Sequence, residues 1–196
     1  GTRLARAATP NYGGKAPGMS TGTLRYFADA TASSNALLAG DVDLVYGIGS
    51  PQLVKQFTSD PSFAVTQGTT NGEVTLAMNN ARPPFNDVRV RRALALSIDR
   101  KKWIQQLYSG RGSNAAMIEP YLKFWALDPK DMGEDGKYYN TYDLKEAKSL
   151  LAAAGHPNGL SYDLQAANIS SYTVTYPMIE LVQSMAADIG LKQNLK

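Results

Sequence analysis

The chain contains no cysteine. That excludes disulfides, thiolate metal sites and a cysteine nucleophile. It contains one histidine, His156. The nearest acid before it is Glu146, on a different predicted element, so a histidine-centred catalytic or metal site has no local partner. No apolar run approaches the roughly 18 residues of a membrane span. No secretory leader pattern is visible. G-x-G-x-x-G, G-x-S-x-G, H-E-x-x-H and P-loop patterns are all missing, and Gly47-Ile48-Gly49 lacks the third glycine of a dinucleotide fingerprint. Strong charge is missing as well. Twenty basic and 17 acidic residues leave a net +3, and the charges are interspersed, so no nucleic-acid footprint stands out.

What is present is enough to fold. The chain has 196 residues, 43% hydrophobic and 19% charged, which is globular rather than disordered and long enough for one or two cores. It starts at Gly1 and finishes in the alternating run Leu191 to Lys196 with no turn after it. We read it as an excised piece of a longer protein. On that reading a missing leader says nothing about where the parent resides.

Residues 1 to 22 are rich in Gly, Pro, Ser and Thr and read as mostly loop. Thr23 to Asp29 alternates and reads as a strand. Thr31 to Ala39 reads as a short helix ended by Gly40. Val42 to Tyr46 reads as a second strand, apolar enough for burial on both faces. Strand, helix and strand so close together predict a parallel crossover. Ser50-Pro51 opens a helix. Phe63 to Thr66 and Glu73 to Met78 read as further strands.

The chain then reaches its most informative stretch. The apolar alternation of Val74, Leu76 and Met78 stops at Asn79-Asn80. Pro83 and Pro84 cannot continue a regular element, and they predict a stiff, extended link. Asn86 or Asp87 caps the next helix, whose apolar positions are Val90, Ala93, Leu94 and Ile98. Asp99 caps another, with Trp103, Ile104, Leu107 and Tyr108 inward, and Gly110 ends it. Residues 111 to 140 read as a long irregular loop, uncommon unless functional or packed on a neighbour. Asp143-Leu144-Lys145-Glu146 has capping-box form. It opens a helix lined by Leu144, Ala147, Leu150, Leu151 and Ala154. Tyr162 to Ala166 reads as a strand. Pro177 to Ile189 reads as an amphipathic helix, with Met178, Val182, Met185 and Ile189 on one face. The strand Leu191 to Lys196 follows, so the last two strands are predicted to be parallel.

Several segments resemble a known family. Pro83-Pro84-Phe85-x-Asp87-x-Arg89-Val90-Arg91-x-Ala93-Leu94-x-x-x-Ile98-Asp99-Arg100 is similar to a stretch of the extracytoplasmic solute-binding proteins of peptide and nickel ABC importers, family 5. Ala36 to Leu44 resembles that family's A-L-x-x-G-E-V-D-L. Tyr142-Asp143-x-x-x-Ala147-x-x-Leu150-Leu151-x-x-Ala154-Gly155-x-Pro157-Asn158-Gly159 is close to its Y-D-x-x-x-A-x-x-L-L-x-x-A-G-x-P-N-G. Asn11 to Pro17 resembles N-x-x-Y-W-G-G-K-x-P, with shortened Asn–Tyr spacing and no tryptophan after Tyr12.

The resemblance implies an α/β fold of periplasmic-binding-protein-like lobes (type II, peptide-binding class), incomplete, with mixed sheets flanked by helices. Residues 1–79 would be the C-terminal part of a first lobe and 80–196 the N-terminal part of a third. It implies the substrate-binding component of an ABC transporter in the periplasm or at the cell surface. Its partners would be a peptide or other small solute and the membrane permease subunits, with no nucleic acid and no cofactor. Family side chains just before the crossover approach the ligand, which implies Thr75, Ala77, Asn79 and Asn80 as cleft residues. Much of the ligand clamp would lie in later parts of the third lobe, so this piece alone is expected to bind weakly or not at all. The alternative is a scaffold or sensor domain that retains the receptor fold without transport.

Other residues were weighed against plainer roles. Asp41 and Asp43 fit a turn and backbone hydrogen bonding better than a metal pair. Arg89, Arg91 and Arg92 form too short a run to compel a phosphate site; structural pairing, with one of them held by an acidic partner, or solvation is expected instead. Helical spacing places Trp103 in a core. Phe124 and Trp125 lie in the long loop, where both ligand stacking and packing stand. Nothing assembles a nucleophile, a base and an orienting group, so the reading is a binding protein rather than an enzyme, with no catalytic and no metal residues.

Overall fold

The computed structural model describes residues 3–9, 11–16, 18–48, 50–68, 74–114, 118, 122–165 and 175–196. In the first part, β1 (Arg3–Ala7) and β2 (Thr21–Arg25) pair antiparallel, from Arg3 opposite Arg25 to Ala7 opposite Thr21. Two helices follow, α1 (Ala30–Leu38) and α2 (Pro51–Thr58). Asp29 caps α1 through the Ala32 N–H, and Ser50 caps α2 through the Leu53 N–H.

Several sequence expectations fail here. The described part of residues 1 to 22 is mostly loop, as expected, but β1 also lies there. Both of its faces are exposed, so no hydrophobic alternation marked it. The next strand begins at Thr21 and ends at Arg25 rather than running from Thr23 to Asp29. Val42 to Tyr46 is no strand, and Leu44 and Tyr46 are 75% and 91% exposed. An apolar run becomes a strand only beside a partner that takes its hydrogen bonds, and no described segment pairs with this one. The predicted crossover before residue 50 therefore does not form. Phe63 to Thr66 and the described part of Glu73 to Met78 also lie outside any ladder. Phe63 instead sets its ring edge-on against Phe57, 5.0 Å between centroids.

The second part matches its expectations more closely. Helix α3 (Val88–Ser97) is capped by the Asp87 carboxylate, which accepts the Arg89 N–H. Helix α4 (Arg100–Tyr108) is capped by Asp99 through the Lys102 N–H and ends at Ser109 in the left-handed region, followed by Gly110. The long loop carries two short 3₁₀ turns, Pro129–Asp131 and Gly133–Gly136, and a single turn of helix, α5 (Lys137–Asn140). Helix α6 (Leu144–Ala153) is capped by Asp143, which accepts the Glu146 N–H. The Glu146 side chain takes Lys137 Nζ at 2.7 Å.

Strand β3 (Leu160–Leu164), α7 (Thr175–Ala187) and β4 (Leu191–Leu195) complete the chain. β3 and β4 are parallel, from Leu160 opposite Leu191 to Leu164 opposite Leu195. β3 begins two residues before the expected Tyr162, and Ala166 lies outside the described residues. Helix α7 begins two residues before the expected Pro177 and ends before Ile189.

One core joins these elements. Val90, Ala93, Leu94 and Leu96 of α3 meet Ala147 and Leu151 of α6, Tyr162 of β3, Ala186 of α7, and Ile189 and Leu191. Leu76, Met78 and Phe85 pack against the same core. The helices thus cover one face of the parallel pair, while Ser161, Asp163, Lys192 and Asn194 leave the other face exposed.

Candidate functional site

The segment from Val74 to Asp87 is two-sided. Leu76 and Met78 turn toward the core, whereas Thr75, Ala77, Asn79 and Asn80 are exposed. Strand-like alternation produces that split even without a ladder. The link that follows is wound rather than extended. Asn79 O accepts the Arg82 N–H at 3.3 Å, Arg82 O accepts the Asn86 N–H at 2.9 Å, and Pro84 O accepts the Asp87 N–H at 3.4 Å. The Asn79 side chain accepts the Ala81 N–H at 3.0 Å, an Asx turn. This corrects the stiff, extended reading. A proline fixes φ near a value shared by extended chain and turns, and local hydrogen bonds select the turns here. Arg91 Nη1 donates to Phe85 O at 2.7 Å, anchoring the link to α3.

An open groove of about 770 Å³ runs beside this segment. One wall is Leu76 to Asn79 with Arg82 to Phe85. The other is Ser161 to Leu164 of β3 with Gln165 just after it, and Asn194 and Lys196 at the end of β4. Phe85 bridges the walls with an edge-on contact to Tyr162, 5.0 Å between centroids and 82° between planes. The Tyr162 hydroxyl accepts Gln193 Nε2 at 2.5 Å. Burial pushes the Tyr162 phenol up to about 12, partly offset by that hydrogen bond. Lys196 Nζ lies 3.7 Å from the Asp163 carboxylate on the exposed face.

The residues singled out from sequence divide into two places. Ala77 and Asn79 border the groove, and Thr75 and Asn80 are exposed on the same segment. Phe124 and Trp125 do not line it. They stand 87% and 69% exposed, edge-on to each other at 5.0 Å. Sequence reasoning missed the second wall, Ser161 to Gln165 with Asn194 and Lys196. No local pattern marks that wall, because it is brought beside the segment by the packing of distant elements.

The arginine cluster is structurally engaged, as expected. Arg89 pairs with Asp87 at 2.5 Å and donates to Ala153 O at 2.6 Å. Arg92 meets Asp135 at 2.7 Å and lies over the Tyr138 ring. The Arg89 guanidinium holds the Asp87 carboxyl at about 2. Arg100 is half-buried, and burial lowers its pKa; it donates to Ala95 O at 3.0 Å. Among the described residues no group of three or more His, Asp or Glu side chains could hold a metal ion, and no described helix is long and apolar enough to cross a membrane.

A connector wound by local hydrogen bonds and a groove alongside it are the candidate site of the described residues. The family model for bacterial extracellular solute-binding proteins, family 5 (middle), matches residues 1–196, and the chain belongs to that family. It is 33% identical over 168 residues to heme-binding protein A of Haemophilus influenzae, covering 85% of this chain and 29% of that protein. It is 26% identical over 199 residues to the nickel-binding periplasmic protein of Escherichia coli, covering 94% and 36%. The solved structure of the periplasmic binding protein DppA from Helicobacter pylori, in complex with the peptide STSA, superposes with a TM-score of 0.79 at 22% identity, over 99% of this chain and 36% of that one. This gives the α/β fold of periplasmic binding proteins. The chain spans about a third of the length of the relatives it matches.

Proposed function

We propose that this chain is part of the substrate-binding component of an ABC importer, capturing a peptide or similar small solute outside the cytoplasm and presenting it to membrane permease subunits. The single observation that carries this is the two-sided segment before the crossover. Leu76 and Met78 are fastened to the core behind it, while Thr75, Ala77, Asn79 and Asn80 remain open on its front. A binding edge held by a packed back is a preorganised one. Ala77 is small enough to admit a ligand, and Asn79 and Asn80 offer amide donors and acceptors.

The lobes are residues 1–79 and 80–196, with the Leu76 and Met78 side chains of the first reaching onto the core of the second. Closure of one lobe on the other is favoured by solute because only the closed state contacts it from both sides. Phe124 and Trp125 form an exposed aromatic pair that stacks on solute or on a neighbouring lobe in the closed form. The role is one of binding, not catalysis. Relatives named for heme, nickel and peptide share the family, so the scaffold accommodates several solute chemistries. Native mass spectrometry of the native-length protein, purified without denaturation, tests the proposal. It should reveal a small molecule bound one to one and released on unfolding.

A further inference from the structure

One arginine of the second part is unlike the rest. Arg89 and Arg92 pair with Asp87 and Asp135. Arg91 donates to Phe85 O, Arg100 to Ala95 O and Arg111 to Tyr108 O. The Arg82 guanidinium has no such use. Among the described residues its side chain makes no hydrogen bond, ion pair or ring contact. It lies exposed on the groove wall that carries Ala77 and Asn79. The other charged groups among the described groove residues, Asp163 and Lys196, lie on the far wall 3.7 Å apart and offset each other. Arg82 therefore carries the uncompensated charge of the described groove.

We propose that Arg82, with Asn79 beside it, makes this a receptor for a solute that carries a carboxylate, an inference that rests on the solute-binding reading above. The backbone beneath Arg82 is fixed at both ends. Its N–H donates to Asn79 O at 3.3 Å, and its carbonyl accepts the Asn86 N–H at 2.9 Å. The first bond closes a turn that folds Arg82 back toward Asn79. The bond from Arg91 to Phe85 O ties that turn to α3, so the charge is presented from an anchored wall. Asn79 Oδ1 is taken up by the Ala81 N–H at 3.0 Å, which leaves the Asn79 NH2 to donate. The two side chains thus offer N–H donors and a positive charge on one short turn. A planar fork of N–H groups matches the two oxygens of a carboxylate, and the bonds it makes are charge-assisted. A neutral solute would leave that charge unanswered, and a cationic one would be repelled by it.

The test uses the native-length protein, unfolded and refolded to strip bound solute. It is incubated with tri- to pentapeptides supplied in equal amounts as free acids and as carboxy-terminal amides. Peptides released from the isolated complex are identified by mass. The inference predicts that acids outnumber their matching amides by about tenfold or more. Arg82→Gln should bring that ratio near one at unchanged thermal stability, and Arg82→Lys should keep part of it. Amides captured only when their sequences contain Asp or Glu would also support the inference, and would put the carboxylate on a side chain rather than at the terminus. Equal capture of acids and amides by the parent protein, with no enrichment of Asp or Glu, would overturn it and leave the receptor reading standing. So would an acid preference that survives Arg82→Gln. Capture of no peptide at all would overturn the receptor reading, and the inference with it.

Discussion

Phe85 presents its ring edge to Tyr162 across the groove, at 5.0 Å and 82°. One residue lies in the wound link before α3 and the other sits at the centre of β3, so this contact ties link to sheet. Edge-on aromatic pairs contribute about 0.5–1.5 kcal/mol beyond their buried area. Phe85→Ala should destabilise the protein by about 3 kcal/mol, transfer and pair together. Phe85→Leu should recover most of the area term. Urea unfolding of the three proteins checks both.

Tyr162 should titrate at about 12 in the folded protein, against about 10 unfolded. The neutral phenol is the form favoured by folding. Its stabilising contribution is therefore complete below pH 10 and is lost as pH rises through 12. Tyr162→Phe should remove that alkaline loss, read from unfolding midpoints between pH 9 and 12 by denaturant titration.

Asp87 shows the opposite sign. Its carboxyl is held at about 2 by Arg89, below the unfolded value of about 3.9. The contribution is present above pH 4 and is lost as pH falls through 2. NMR titration of the Asp87 carboxyl should give that low midpoint, and Arg89→Leu should raise it toward the ordinary range.

Gly159 and Gly190 meet where β3 and β4 begin. Both have positive φ, 83° and 84°. A Cβ on Gly159 would lie 2.1 Å from the Gly190 carbonyl oxygen. Gly159→Ala should therefore cost more than the roughly 1 kcal/mol of a strained φ alone and displace the strand starts. Gly155→Ala is the control. It carries a φ of 90° with open space around its Cβ position, so it should cost only the backbone strain. Thermal unfolding of both variants separates clash from strain.

Leu151 is 1% exposed between α6 and α3. Leu151→Ala should cost about 2–5 kcal/mol. Arg92→Ala, which removes a partly exposed pair with Asp135, should cost about 1 kcal/mol or less. The contrast, measured by chemical denaturation, asks whether burial or surface pairing holds α3 in place.

The second part of the fold was legible because its signals are local. Asp87, Asp99 and Asp143 each cap the helix that follows, and Val90, Leu94, Leu151 and Met185 recur on faces that helices must bury. The first part was legible only in its helices. Strands depend on partners distant in sequence: β1 carries no apolar alternation, and Val42 to Tyr46 has the composition of a buried strand with no described neighbour to pair with. At the candidate site the front of the segment, Thr75 to Asn80, was readable from alternation and resemblance. Its wound shape was not, since prolines permit both turn and extended chain. The β3 wall was hidden for the same reason as β1, because it is brought there by the packing of α6 and α7 rather than by neighbouring sequence.

The central claim is that solute is held against the front of the Thr75–Asn80 segment. Native mass spectrometry of the native-length protein and its Ala77→Trp variant tests this most directly, since the larger side chain would fill that front without touching the core behind. The account predicts a one-to-one small-molecule adduct on the parent protein, and at least about tenfold lower occupancy in a variant of unchanged thermal stability. Equal occupancy in the two proteins, or no adduct on either one even after incubation with a peptide pool, would contradict it.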